Sequence, residues 1–501
     1  MSGAAASGGL LLVLAVMLPL VGLLALQVVG PALLRPAAMG IVVAGAATAA
    51  GLVFRVVRNG RPLRTVLGGW EPPLGLALRA DGASAALVGV AAVVMVCCSL
   101  YALRAFPAPP RDGGERASLL FFSLAFSIWS ALNAVAVGED LFNLYVALEL
   151  LTFAAVPLVA MDGRRGTVKA ALRYLVFALI GSMLYLLGCA LLYGAAGTLD
   201  IRLLGAAFPP APAAKVALAL MTAGLLAKAA LVPLHLWLPP AHAGAPPAAS
   251  AILSALVIKA PLFLLLRLWF DVAPPEAARA AAPVLGALGA LAILHGSLLA
   301  LGQARLKLLI AYSTVAQLGY LFLVFPLAWG PGAAAPWAGP GWTAGLLQLA
   351  AHGFAKAAMF LAAGVVAGAY GHDRIAGLAG FGRVAPVSAV AFALGGLSLV
   401  GLPPSGGFTA KWLMLTAAVE GGHAVLAGVV LLGGLLAAGY VFKVLGQALA
   451  DPGSDGLPGQ RPPLALELPA LALALAALAL GLAAPEPFQW LQIGRGPGGP
   501  P

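Results

Sequence analysis

The sequence predicts an all-α polytopic membrane protein of about 14 transmembrane helices, and three observations carry that prediction. Of 501 residues, 62% are hydrophobic and only 9% are charged. The mean hydropathy of +1.01 lies far outside the range of a water-soluble domain of this length. Crossing the hydrocarbon takes about 20 apolar residues in a helix, and runs of that length recur along the chain between short stretches of Gly, Pro and charge.

The expected spans cover residues 10–29, 34–57, 83–104, 117–137, 140–161, 170–195, 213–238, 246–270, 282–303, 307–328, 342–369, 386–415, 423–447 and 464–484. The first run has no lysine or arginine before it and exceeds the apolar region of a signal peptide, so it is read as a span. Two spans are broken in a similar manner. The seventh runs into Pro233, Pro239 and Pro246, the twelfth contains Gly401, Pro403, Pro404, Gly406 and Gly407, and each carries a lysine beside the break, Lys228 or Lys411. Matching discontinuous helices point to an inverted-repeat transporter, although proline is also simply common in membrane helices. The five-span offset predicts two inverted five-helix repeats, residues 117–272 and 273–450. Residues 1–116 hold the first three spans, and residues 451–501 the last span and a short tail.

Lysine and arginine are richer in the connections after odd-numbered spans, as with Arg164, Arg165, Lys169, Arg305, Arg374, Arg383 and Arg461. Those loops are expected on the cytoplasmic side of a bacterial-type inner membrane, with both termini outside. Arg55, Arg58, Arg61 and Arg64 argue the other way. The same bias accounts for the net charge of +11 without a nucleic-acid partner. Cys97, Cys98 and Cys189 fall in apolar runs, so neither disulfides nor an iron–sulfur or zinc site is indicated. No Walker-type loop or dinucleotide fingerprint occurs, and no cofactor is expected.

The ionisable residues read inside apolar runs are Glu149, Lys228, Lys259, His295, His352, Lys356 and Lys411. Each is costly at mid-membrane unless paired or hydrated, which makes an intramembrane charge a functional hypothesis by default. Helix–helix hydrogen bonding is the structural alternative for any one of them. A buried lysine can gain and lose a proton at modest cost because desolvation and a nearby carboxylate pull its acidity in opposite directions. Arginine cannot. His352 and Lys356 lie four apart on one helix face and cannot neutralise each other, which favours relay over pairing. His295, near a span end, is the weakest member, and His235 and His242 flank the seventh-span break as accessory groups. With no cysteine or carboxylate near them in sequence, a metal site there is not favoured.

The segments LFNLYVALELLTF, AKAALVPLHLWLPPAHAGAP followed by SALVIKAPLFLLLR, RLKLLIAYSTVAQLGY, HGFAKAAMFLAAG and GLPPSGGFTAKW resemble the antiporter-like subunits shared by Mrp-type sodium/proton antiporters, respiratory complex I and membrane-bound hydrogenases. The resemblance covers about residues 75–447, and the LALRADG and AYSTVAQLGY segments look most similar to the Mrp D subunit. It implies that Glu149 on the fifth span pairs with Lys228, that Lys259 is a central lysine, that His352 and Lys356 form a relay, and that Lys411 ends the path. Pro240, Gln348 and Arg305 depart from the family pattern, and the first leaves the role of His242 open. The tail is not expected to supply the long lateral helix of the largest members. The implied function is proton translocation within a multi-subunit monovalent cation/proton antiporter, with other membrane subunits as partners. A proton-pumping subunit of a redox complex, or a structural membrane scaffold, are the alternatives.

Overall fold

The computed structural model describes residues 2–106, 114–329, 339–452, 461–482 and 486–495. The chain begins with two packed apolar helices, α1 (Ser2–Val28) and α2 (Pro31–Asn59). Proline in the first turn of α2 forfeits no helical hydrogen bond, and Gly60, at φ 61°, closes the other end by donating its N–H to the carbonyls of Val56 and Val57. An antiparallel hairpin follows, β1 (Leu63–Val66) with β2 (Ala77–Ala80), pairing Leu63 with Ala80. This hairpin departs from the all-helical expectation. Two four-residue strands are too short to register as an alternating pattern, and they lie between spans, where sheet edges need not be closed.

Helices α3 (Gly82–Ala105), α4 (Gly114–Val137), α5 (Leu141–Val159) and α6 (Arg165–Ala196) come next. Asp81 caps α3 by accepting from the Ser84 N–H at 2.9 Å, and Asp140 caps α5 by accepting from Asn143 N–H at 2.9 Å. After the short α7 (Ile201–Ala206), α8 (Pro212–Lys228) stops at the lysine itself. An irregular segment, 229–237, leads into α9 (Leu238–Gly244). The next span runs through α10 (Pro247–Ile252), a π-helical turn (Leu253–Val257), α11 (Lys259–Arg267) and a second π turn (Leu268–Val272).

Then follow α12 (Pro275–Leu301), α13 (Leu306–Phe322) with its short continuation α14 (Val324–Leu327), and α15 (Pro340–Tyr370). The one-turn α16 (Phe381–Val384) precedes α17 (Pro386–Val400), which residues 401–405 separate from α18 (Gly406–Glu420). Helices α19 (Ala424–Leu449) and α20 (Leu464–Leu482) complete the series. Among the described residues, 12 helical stretches are long and apolar enough to cross a membrane. The other two expected spans, 213–238 and 386–415, are the interrupted ones.

Burial orders these helices from centre to rim. The most apolar window of the span at 247–272 is 100% buried and that of α15 is 94% buried, whereas those of α1 and α2 are 28% buried and have their remaining faces available to lipid. The residues named from the sequence fall on the central helices or where those helices meet the broken ones.

Candidate functional site

The first cluster forms where α5, α6 and α8 meet. Gly181 and Gly224 face each other across α6 and α8 so closely that a Cβ on either would sit within 2.6 Å of the other's carbonyl oxygen. Small residues allow this approach in a membrane bundle, and it brings the end of α8 beside α5. There Lys228 Nζ donates to Glu149 Oε1 at 3.0 Å and to Thr152 Oγ1 at 2.9 Å, and Ser182 Oγ donates to the same carboxylate oxygen. Because α8 ends at Lys228, its last carbonyls lack helical partners, and Trp237 Nε1 reaches back to the Ala227 carbonyl at 3.0 Å. The indole stacks on Tyr174 with ring centres 4.1 Å apart. Ala230, at φ 55°, holds a left-handed conformation costly for a residue with a Cβ, and surrounding packing must enforce it.

The second cluster uses the π-helical turn. Such a turn loosens the regular ladder and frees carbonyl oxygens, and Lys259 Nζ donates to two of them, Ala255 O at 2.5 Å and Ser254 O at 3.4 Å. The amine also faces Gly353 on α15, where a Cβ would lie 3.3 Å away. That glycine sits between His352 and Lys356. Lys356 Nζ donates to Ile310 O at 3.0 Å and to Ser313 Oγ, while Thr314 Oγ1 shares a 3.0 Å hydrogen bond with Ser254 Oγ. Lys259, His352 and Lys356 thus converge on one polar seam between the first π turn with the start of α11, α13 and α15. Neither ring nitrogen of His352 has a hydrogen-bond partner among the described residues, and buried polar atoms of this kind are usually satisfied by ordered water.

The third cluster sits at the second break. Gly401, at φ 89°, ends α17, and its missing side chain leaves room for the stem of Lys411, whose Cδ would be 2.7 Å from a Cβ there. Lys411 Nζ donates to the exposed carbonyls of the helix end, Leu399 O at 2.5 Å and Val400 O at 3.2 Å, and lies 4.3 Å from the centre of the Tyr320 ring. A cation at a helix C-terminus is favourably placed against the macrodipole, and the aromatic face adds a cation–π contact. Gln317 Nε2 donates to the same Leu399 carbonyl at 3.1 Å, and Gln348 Nε2 donates to Gln317 Oε1 at 3.0 Å. Gln317 lies four residues beyond Ser313 and Gln348 four before His352, so one row of polar side chains on each of α13 and α15 extends from the second cluster to the third.

All four lysines and His352 are buried, and Glu149 is partly exposed. Of the accessory histidines, His235 meets His295 edge to face, ring centres 5.2 Å apart, and His242 stacks on Phe360 at 4.7 Å. Neither contact is a hydrogen bond to the lysines. Thr152, Ser182, Ser254, Ser313, Thr314 and Gln317 were not singled out from the sequence. Hydroxyls inside apolar helices usually bond their own backbone, so their role shows only once the helices are packed.

A buried ion network was also missed. Arg267 bridges Asp81 at 2.6 Å and Asp271 at 2.9 Å, and Arg495 meets Asp271 at 2.5 Å. Burial alone would push the Asp81 carboxyl up, but the guanidiniums of Arg267, Arg495 and Arg79 overcome it and hold the group well below the usual carboxylate range. At Glu139 the balance falls the other way, and burial raises the carboxyl despite Arg79 and Arg64. This network joins the hairpin, α3, the second π turn and the segment 486–495, apart from the lysine series.

A model of the NADH:quinone oxidoreductase/Mrp antiporter transmembrane family matches residues 138–437, a stretch that contains every residue of the three clusters. The chain belongs to this family. It is 35% identical to NADH-quinone oxidoreductase subunit N of Desulforudis audaxviator, over 83% of this chain and 81% of that one. It is 27% identical to the D subunit of the Na(+)/H(+) antiporter of Alkalihalophilus pseudofirmus, over 75% and 74%. Its fold is similar to a chain of the Mrp complex from Dietzia sp., with a TM-score of 0.86, 27% identity, and 98% and 96% of the two chains covered. The resemblance read from the motifs is therefore upheld at the level of the antiporter-like family, with relatives on both its antiporter and its quinone-oxidoreductase side.

Proposed function

We propose that this chain is the proton-translocating membrane subunit of a multi-subunit monovalent cation/proton antiporter, with Glu149, Lys228, Lys259, His352, Lys356 and Lys411 carrying the proton. The observation that carries the reading is the 3.0 Å pair of Lys228 and Glu149 at the very end of a broken helix. An ammonium beside a carboxylate keeps its proton, and the same amine left in apolar surroundings gives it up. Separation of the pair would send the proton toward Lys259, through the His352 and Lys356 seam, and along Gln348 and Gln317 to Lys411. The two breaks then act as the movable parts of two five-helix units, residues 117–272 and 273–450, with the Arg-rich odd loops facing the cytoplasm. A cation gradient acting on the neighbouring subunits would drive the exchange.

The test is cation-dependent proton transport by the reconstituted assembly in vesicles. Lys228→Ala and Glu149→Ala should each lower the rate at least tenfold, and near wild-type rates would discard the scheme.

A second reading, a proton-pumping subunit of a redox-driven complex, is favoured by the 35% identity to a quinone-oxidoreductase subunit. It uses the same residues and differs in what drives them.

A further inference from the structure

Between α8 and α12 lies an apolar groove of about 880 Å³ that none of the proton-carrying residues lines. Its walls run from Lys215 to Leu226 on α8 and from Glu276 to Leu288 on α12, both starting at the helix N-termini. At 1.5 Å per residue each wall is about 17 Å long, close to the roughly 15 Å of hydrocarbon in one leaflet. Trp269 forms part of the lining and is fixed by its Nε1 donating to Thr222 Oγ1 at 3.1 Å.

Charge is confined to the mouth. Lys215 and Glu276 are the ionised groups of the lining, both are exposed, and they form no ion pair with each other. Neither has an ion-pair partner among the described residues. Two opposite charges near the helix N-termini, not paired with each other, beside an apolar slot about as long as one leaflet is thick, complement a molecule with an anionic group, a cationic group and an acyl chain.

We propose that this groove is a binding site for a zwitterionic aminophospholipid of the phosphatidylethanolamine class. Its phosphate sits on Lys215, its primary ammonium donates to the Glu276 carboxylate, and an acyl chain fills the slot toward Leu226 and Leu288. The ammonium can donate charge-assisted hydrogen bonds to the carboxylate, which the quaternary amine of phosphatidylcholine cannot, so the site discriminates between two lipids of equal net charge. The deep end of the slot lies two residues from Lys228, and the bound chain therefore packs against the helix end that carries the first cluster.

The experiment is native mass spectrometry of the purified full-length chain titrated with dioleoyl phosphatidylethanolamine, phosphatidylcholine or phosphatidylglycerol. One phosphatidylethanolamine should be retained at least fivefold more strongly than either competitor. Glu276→Ala should remove the advantage over phosphatidylcholine, Lys215→Ala should weaken all three lipids, and Ala281→Phe, which fills the slot, should abolish retention. Equal retention of all three lipids would overturn the assignment. So would unchanged retention in Glu276→Ala and Ala281→Phe. A photo-crosslinker at position 219 in the intact assembly that captures a neighbouring subunit's helix in place of lipid would overturn it as well.

Discussion

Lys228 has two partners of different weight. The carboxylate of Glu149 sets the charge balance, whereas Thr152 supplies only a hydroxyl at 2.9 Å. Thr152→Val is accordingly expected to leave the ion pair in place and to slow proton transport severalfold, less than Glu149→Gln does, as vesicle assays on the two variants would show. Asp81 is a residue of the opposite kind, buried to bind the fold together. Removing one partner from a buried charge network costs about 3–5 kcal/mol, and Asp81→Asn should lower the melting temperature by several degrees without a proportional loss of transport by the folded fraction. The pH dependence has a definite sign. A carboxyl held below its unfolded value of about 3.9 contributes its full stability above that pH and loses it as pH falls further. The wild-type protein should therefore lose this contribution only below about pH 4, and a pH series of melting curves should show a weaker acid limb in Asp81→Asn.

At the scale of the element, the two breaks and the first π turn do the same job by different means: each exposes backbone carbonyls in the membrane and points an amine at them or beside them. Hydrocarbon offers no water to satisfy such groups, so irregular backbone survives there only when protein or a hydrated cavity receives it. Gly401 combines a φ of 89° with a close approach of the Lys411 stem, whose Cδ would lie 2.7 Å from a Cβ there. Gly401→Ala should cost about 1–3 kcal/mol and displace the amine, lowering both melting temperature and transport. Gly428 on α19 has open space around it and an ordinary helical backbone, so Gly428→Ala is the control that should lower neither. The breaks were legible in the sequence because proline and glycine clusters punctuate helices in a way that local chemistry dictates. The π turn was not read, since LSALV itself contains only ordinary helix-compatible residues; its local cause lies downstream, where Pro261 has no N–H to donate to the carbonyl of Val257 at the end of the turn.

At the scale of the molecule, the central spans give up lipid contact to surround the lysine series, while α1, α2 and α20 keep faces for lipid or for other subunits. An isolated antiporter-like chain has no built-in energy source, so its partners decide what drives it. Gentle extraction followed by identification of the proteins that stay bound should recover small Mrp-like membrane subunits if the antiporter reading holds. Recovery of iron–sulfur subunits would replace it with the redox reading. The sequence by itself determined the membrane fold, the order of the spans, the two interruptions and which titratable residues lie inside the spans. Each of these follows from local quantities: hydropathy over a helix length, the dihedral limits of proline and glycine, and the cost of a charge in hydrocarbon. The tertiary structure alone decided that Ser313, Thr314, Gln317 and Gln348 join the amines into one seam, that His235 meets His295, and that Arg267 ties Asp81 to Asp271 across the chain. Such contacts join residues far apart in sequence, and no local period or propensity encodes which helix faces which until the whole bundle has packed.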